Sequence, residues 1–231
     1  MYGLVVFDMA GTTIVDRGEV AASFAKAFQL NGVDVPVEAT YPVMGYRKKE
    51  AILRLLDAFH PLSDRTERSE LTEAIHDCFE DIMVMFYAQD AGLSPMHGAL
   101  ELFEALRARG VKVALNTGFT RRITQTMLER LGWEDDPRID FTICSDEVPE
   151  GRPAPFMIQE LMRRSGVEHA ASVVKVGDTE VDILEGRNAG CGMVLSVATG
   201  NSSREKLMEY CPDAVADSLD EIGQILFQRL V

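Results

Sequence analysis

Basic residues are in short supply in this chain. Its 23 lysines and arginines face 37 aspartates and glutamates, for a formal net charge of −14. A nucleic-acid backbone needs a basic footprint, so that class of partner is argued against; a small phosphorylated molecule, which needs only a few placed donors, is not. Cysteine is sparse too. Cys78, Cys144, Cys191 and Cys211 include no Cys-x-x-Cys pair, and the four histidines are dispersed. That pattern speaks against a disulfide framework and against structural zinc, and leaves free thiols as the default. No apolar run approaches the roughly 20 residues of a bilayer span. The opening segment, Met1 to Asp8, lacks the basic start and cleavage site of a signal peptide. A cytoplasmic protein without a membrane partner is the expectation. Repeats and low-complexity tracts are absent as well.

What is present is an ordinary globular composition: 231 residues, 46% hydrophobic and 26% charged. Short apolar runs recur at Leu4–Phe7, Val111–Leu115, Phe141–Cys144, Val173–Val176 and Gly192–Val197, each short enough for a buried parallel strand. Helical patterns separate them at Ala99–Arg109, Arg121–Leu131, Pro155–Arg164 and Val181–Ala189. Strands alternating with helices predict an α/β fold, a Rossmann-like parallel sheet with helices on both faces. Residues 16–90 break the rhythm with helical patterns alone, at Glu19–Leu30, Lys48–Phe59 and Glu67–Tyr87. The Gly- and Pro-containing stretch Ala91–Gly98 then returns to the alternation. The expected organisation is a core of residues 1–15 and 91–231 with a helical cap, residues 16–90, inserted after the first strand.

In an open parallel sheet, ligands bind beyond the carboxyl ends of the strands. The residues that follow the apolar runs are therefore the candidates: Asp8, then Asn116-Thr117-Gly118, Ser145-Asp146-Glu147 and Gly177-Asp178-Thr179. Convergence of Asp8 and Asp178 suits a hard divalent cation such as Mg²⁺, which takes oxygen ligands. A carboxylate can also serve as a nucleophile and form an aspartyl-phosphate.

Four segments in order, Asp8-Met9-Ala10-Gly11-Thr12, Thr117-Gly118, Gly151-Arg152-Pro153 and Gly177-Asp178-Thr179-Glu180-Val181-Asp182, resemble the four motifs of the haloacid dehalogenase superfamily. The helical insertion sits where that superfamily carries its first cap. Two replacements narrow the resemblance. Ala10 stands where most phosphatases of the group place a general acid–base aspartate, and Arg152 replaces the usual lysine. Both are features of the phosphonatases, which cleave a carbon–phosphorus bond. Met44-Gly45-Tyr46-Arg47-Lys48 and Glu185-Gly186-Arg187-Asn188-Ala189-Gly190 resemble the same family.

The resemblance implies Asp8 as nucleophile and Lys48 as a Schiff-base lysine supported by Met44. It implies Asp8, the Ala10 carbonyl and Asp178 as ligands of Mg²⁺, with Asp182 in support. Gly11, Thr12, Thr117, Gly118 and Arg152 are the implied phosphonyl-binding residues. The implied substrate is phosphonoacetaldehyde or a related 2-oxoalkylphosphonate. Around the aldehyde end the chain departs from the family: Ala51, Phe119 and Glu19 stand where it has a histidine, a tyrosine and a cysteine. A phosphomonoesterase acting on a small metabolite, with Lys48 only gripping substrate, stays open. So does a non-catalytic, receiver-like phosphate-sensing module, although receivers lack a cap after the first strand. Nothing in the sequence decides the oligomeric state; a homodimer through the cap is what the family implies.

Overall fold

The computed structural model describes residues 2–200 and 202–229. Six parallel strands form one sheet in the order β3-β2-β1-β4-β5-β6. They are β1 (Leu4–Asp8), β2 (Lys112–Thr117), β3 (Phe141–Cys144), β4 (Val173–Gly177), β5 (Met193–Val197) and β6 (Ala214–Ala216). Within β1, β2, β4 and β5 nearly every residue is buried, because helices cover both faces of the sheet. Alternate residues serve opposite faces. Val5, Phe7, Val113, Leu115, Val174 and Val176 join one apolar cluster, whereas Leu4, Val6, Ala114, Val173 and Val194 join another. Helices α5 (Ala99–Arg107), α6 (Arg121–Leu131) and α10 (Leu219–Arg229) contribute to the first cluster. The second takes in α7 (Phe156–Ser165), α8 (Glu180–Asn188) and α9 (Arg204–Met208).

Between β1 and α5 the chain is helical: α1 (Glu19–Leu30), α2 (Val37–Thr40), a 3₁₀ turn at Tyr41–Val43, α3 (Lys48–Phe59) and α4 (Arg65–Gln89). The expected Glu67–Tyr87 helix is longer by a half turn at each end. Asp64 explains its start, since its Oδ1 accepts from the amides of Thr66 and Glu67 at 2.8 and 2.9 Å. The chain enters and leaves this insertion side by side. Val15 N donates to Ser94 O at 3.1 Å and Met96 N to Thr13 O at 2.8 Å.

The insertion is not isolated from the sheet's core. Phe24 and Phe28 of α1 and Phe79 of α4 belong to the same apolar cluster as the sheet residues Phe7 and Leu115. Helix α4 packs along α6, where Asp81 pairs with Arg122 at 2.7 Å and the Thr120 hydroxyl donates to Glu80. Three elements after β5, namely α9, β6 and α10, have no counterpart among the expected segments. β6 is only three residues long, and α10 closes the chain beside it; neither carries a polar motif that would draw notice.

Order of burial makes the centre of the first cluster testable. Phe103 is fully buried between Phe7, at 5.2 Å centroid separation, and Trp133, at 5.9 Å. Phe103→Ala is expected to cost about 3–5 kcal/mol, read as a lower urea midpoint with an unchanged denaturant slope.

Candidate active site

Strand order reverses at β1, whose neighbours are β2 and β4. A crevice opens at such a switch point beyond the carboxyl ends. A narrow cavity of about 40 Å³ lies there, lined among others by Asp8, Ala10, Lys48, Thr117, Arg152 and Asp178. That volume admits a ligand of a few heavy atoms while the insertion stays in place. Gly118, Met44 and Asp182 also reach its wall. Of the residues expected at the site, only Gly11 and Thr12 do not. The Gly11 amide is spent on Ile14 O at 2.9 Å, and the Thr12 amide on Met9 O at 3.2 Å. As they stand, the two residues shape the wall behind the cavity. The Thr12 hydroxyl donates to Asp178 Oδ1 at 2.9 Å. Gly11, with φ of +91°, clears space for the same carboxylate; a Cβ there would sit 2.5 Å from Asp178 Oδ2.

Asp8 ends β1. Its backbone carbonyl accepts from the Thr13 hydroxyl at 2.8 Å, and its Oδ1 accepts from Arg152 Nη1 at 2.6 Å. The same Nη1 donates to Asp182 Oδ1. Asp182 owes its place to the start of α8, where it accepts from the Thr179 hydroxyl at 2.6 Å and the Thr179 amide at 3.3 Å. It is therefore both a helix-capping residue and part of the site.

Lys175 went unnoticed in the sequence because a lysine inside a β4 run of valines reads as an edge residue. It is 0% exposed. Its Nζ lies 3.0 Å from Asp182 Oδ1 and 3.1 Å from Glu185 Oε2, and donates to Asn116 Oδ1 at 2.5 Å. Asn116 Nδ2 in turn donates to both Glu185 oxygens, at 3.0 and 2.9 Å. The chain of contacts from Asn116 and Glu185 through Lys175, Asp182 and Arg152 to Asp8 is buried throughout.

The charges are unevenly shared. Burial opposes ionisation of Asp182, but Arg152 and Lys175 outweigh it and hold the carboxyl at about 2. Burial pushes Asp8 up to about 6, with Arg152 only partly offsetting it. Asp178 is pushed well above the ordinary carboxylate range by burial and by the charges of Asp8 and Asp182. Asp8, Asp178 and Asp182 each offer a carboxylate oxygen, all within 4.8 Å of one another. Two crowded carboxylates short of countercharge, in an all-oxygen donor set, fit a hard divalent cation such as Mg²⁺. Asp182 is already held by two cations, so Asp8 and Asp178 are the ones left to bind it. Arg152 Nε is buried without a hydrogen-bond partner among the described residues, a donor such as an anionic ligand takes up.

Lys48 opens α3 from the insertion and is 2% exposed. The surface position that Arg47-Lys48-Lys49-Glu50 suggests holds only for its neighbours. Lys49 pairs with Glu73 at 2.6 Å and Arg47 donates to Pro149 O at 3.0 Å, both exposed. Lys48 Nζ donates to Met44 O at 2.5 Å and sits over the rings of Phe119, at 5.4 Å, and Phe24, at 5.8 Å. Burial, followed by the charge of Arg152, lowers its proton affinity to about 7. Gly45 brings the loop before it against the sheet domain; a Cβ there would lie 2.2 Å from Val181 Cγ2.

Rossmann-type sheet, strand-end aspartates and helical insertion together define a hydrolase of the α/β class. A family model for haloacid dehalogenase-like hydrolases matches residues 2–190. The chain belongs to that family. A phosphonoacetaldehyde hydrolase from Bacillus cereus is 36% identical over 205 residues, which is 86% of this chain and 76% of the relative. Among solved structures, a phosphonoacetaldehyde hydrolase-like protein from Oleispira antarctica superposes with a TM-score of 0.81 at 24% identity, covering 99% of this chain and 94% of the other. A protein assigned as a phosphoglycolate phosphatase from Lactobacillus delbrueckii does so at 0.77 with 22% identity, covering 97% and 98%. These two likenesses carry the fold. No helix among the described residues is long and apolar enough to cross a membrane.

The buried lysine at the centre of the network gives a direct test. Lys175→Met leaves Asp182 and Glu185 short of a counterion, and is expected to cost about 3–5 kcal/mol in chemical denaturation. Adding Glu185→Gln to that variant is expected to recover part of the loss, as a coupled pair should in a double-mutant cycle.

Proposed function

We propose that this protein is a phosphonatase-like hydrolase that cleaves the carbon–phosphorus bond of phosphonoacetaldehyde or a related 2-oxoalkylphosphonate. The observation that carries the reading is Lys48, a buried amine of lowered proton affinity on the wall of the same cavity as Asp8. A lysine that only gripped an anion would work better protonated and hydrated. The second support is Ala10, which lines the cavity where an ester hydrolase of this family would need a proton donor. The Bacillus cereus relative points the same way.

Expelling a carbanion from phosphorus is prohibitive without an electron sink. The neutral Lys48 amine attacks the aldehyde carbon, and loss of water gives an iminium. Asp8 then attacks phosphorus. The carbon–phosphorus pair flows into the iminium to leave an enamine, and the phosphonyl group is now an aspartyl-phosphate on Asp8. Arg152, Thr117 and Gly118 hold the phosphonyl oxygens, and the Nε of Arg152 is the donor in reserve. Asp8, the Ala10 carbonyl and Asp178 are the residues that would hold Mg²⁺, which supplies positive charge beside the transferring group. Asp182 and Met44 act through others: Asp182 sets Arg152, and the Met44 carbonyl aims the Lys48 amine. Residues 16–90 form the cap that shuts this cavity, and the paired strands of chain at Val15 and Ser94 are its hinge.

The phosphate-binding end would accept a phosphate ester too, so the decisive experiment addresses the amine. Cyanoborohydride with phosphonoacetaldehyde is expected to leave a reduced adduct on Lys48, located by peptide mass mapping. Folded protein with no adduct, alongside steady turnover of alkyl phosphates, would establish the phosphomonoesterase reading instead. Lys48→Arg keeps a long basic side chain but cannot form the imine, so phosphonate cleavage should drop by at least a thousandfold in a phosphate-release assay. Because the neutral amine is the nucleophile, the rate of adduct formation should rise with pH through about 7 and level off above it. Asp8→Ala should abolish phosphate release while leaving the adduct on Lys48 detectable.

A further inference from the structure

Imine chemistry needs a proton carrier that the residues assigned so far do not provide. The hydroxyl of a carbinolamine leaves as water only when protonated. Among the side chains lining the cavity, Asp8 and Asp182 are tied to Arg152, and Asp178 takes the Thr12 hydroxyl. The Thr179 hydroxyl is committed to Asp182, and Thr117 Oγ1 accepts from the Phe119 amide. Around Lys48 the remaining wall is Val20, Met44, Gly45 and Phe119, none of which can move a proton. One titratable group is left. Asp16, on the segment that leads into the insertion, lines the same cavity.

Resting on the reading above, we propose that Asp16 is a catalytic residue of the Lys48 half-reaction: its carboxyl group protonates the carbinolamine hydroxyl, which departs as water, and its carboxylate takes a proton back from the water that later releases the product aldehyde. The balance closes over a cycle. The first step breaks the carbon–oxygen bond, forms the carbon–nitrogen double bond and leaves Asp16 ionised beside the iminium cation. The enamine left by carbon–phosphorus cleavage then takes a proton on carbon from solvent, which hydrolysis of the aspartyl-phosphate returns, and becomes the product iminium. Water attacks it, the water's proton passes to Asp16, and collapse of the carbinolamine frees Lys48.

Geometry supports the role. Asp16 Oδ1 accepts from the Gly18 amide at 3.0 Å, which orients the carboxyl without a cation to hold it ionised. Burial favours its acid form, against the pull of the Gly18 and Val20 amides toward the carboxylate. The Glu19 carboxylate beside it adds to the upward shift that burial leads. Arg17 is directed elsewhere, donating to Gly92 O at 3.1 Å and meeting Glu19 at 3.9 Å. Tyr87 of α4, which feels the charge of Asp16, adds no positive charge to its surroundings. Lys48 is near enough to feel the charge of Asp16. A residue that served only the Gly18 turn would have no reason to face the lysine's cavity.

The test is the rate at which cyanoborohydride traps the Lys48 adduct with phosphonoacetaldehyde. Asp16→Asn, checked for an unchanged melting temperature, is expected to slow trapping about a hundredfold. Added formate is expected to restore it in proportion to concentration, which a purely structural defect would not allow. Asp16→Glu should retain more of the rate than the amide. Trapping of Asp16→Asn at the wild-type rate would overturn the assignment while leaving the imine reading intact; no adduct with the wild-type protein would remove both. If Asp16→Asn fails to fold, Asp16→Glu decides: slower trapping at unaltered stability supports the role, and an unaltered rate overturns it.

Discussion

Four carboxylates, Asp8, Asp178, Asp182 and Glu185, are buried within one site against two fixed cations, Arg152 and Lys175. Charges in such surroundings persist only when each has a partner of good geometry. That demand accounts for much of the local design. Asp182 receives two cations and is held ionised, which lets it orient Arg152. Glu185 is clasped by Asn116 and Lys175. Asp8 and Asp178 are left under-compensated, and the imbalance is located where a divalent cation and an anionic ligand would meet. The apolar sheet beneath matters as much as the charges, because the same distances in water would be worth far less.

Much of the architecture was legible because buried parallel strands read as short apolar runs, and the residues after them are exposed to chemistry rather than to packing. Asp8, Thr117 and Asp178 could be found from that placement alone. Arg152 and Lys48 could not, since both lie in stretches that look solvated; motif resemblance drew attention to them. Lys175 escaped, and Glu185 was marked only as part of a family stretch, because their roles depend on pairing between β4, α8 and β2, which sequence spacing does not reveal. Gly11 and Thr12 show how a turn adds what a motif does not display. Their motif position suggested contact with substrate, yet the tight turn after β1 consumes their amides internally.

Asp16 was missed for a related reason. Beside Gly18 it has the pattern of an ordinary turn, and only the fold brings that turn round to face α3. The contrast with Asp146 is instructive. It follows β3 as Asp8 follows β1, but its carboxylate accepts from the Arg121 amide at 3.0 Å and so caps α6 from the sheet's edge. Position at a strand end is thus not a sufficient mark of the site. Proximity to the switch point separates the two cases.

Lys48 is wedged between a ring from the insertion, Phe24, and a ring from the sheet domain, Phe119. Its reactivity therefore belongs to neither part alone. Were the two to separate, water would reach the amine and return it to the ammonium form, inert toward carbonyl compounds. A permanently neutral lysine would be a liability among the sugars and aldehydes of metabolism, open to condensation with any of them. Because the apolar enclosure is shared between two parts of the chain, the amine keeps its lowered proton affinity only while both stay in place.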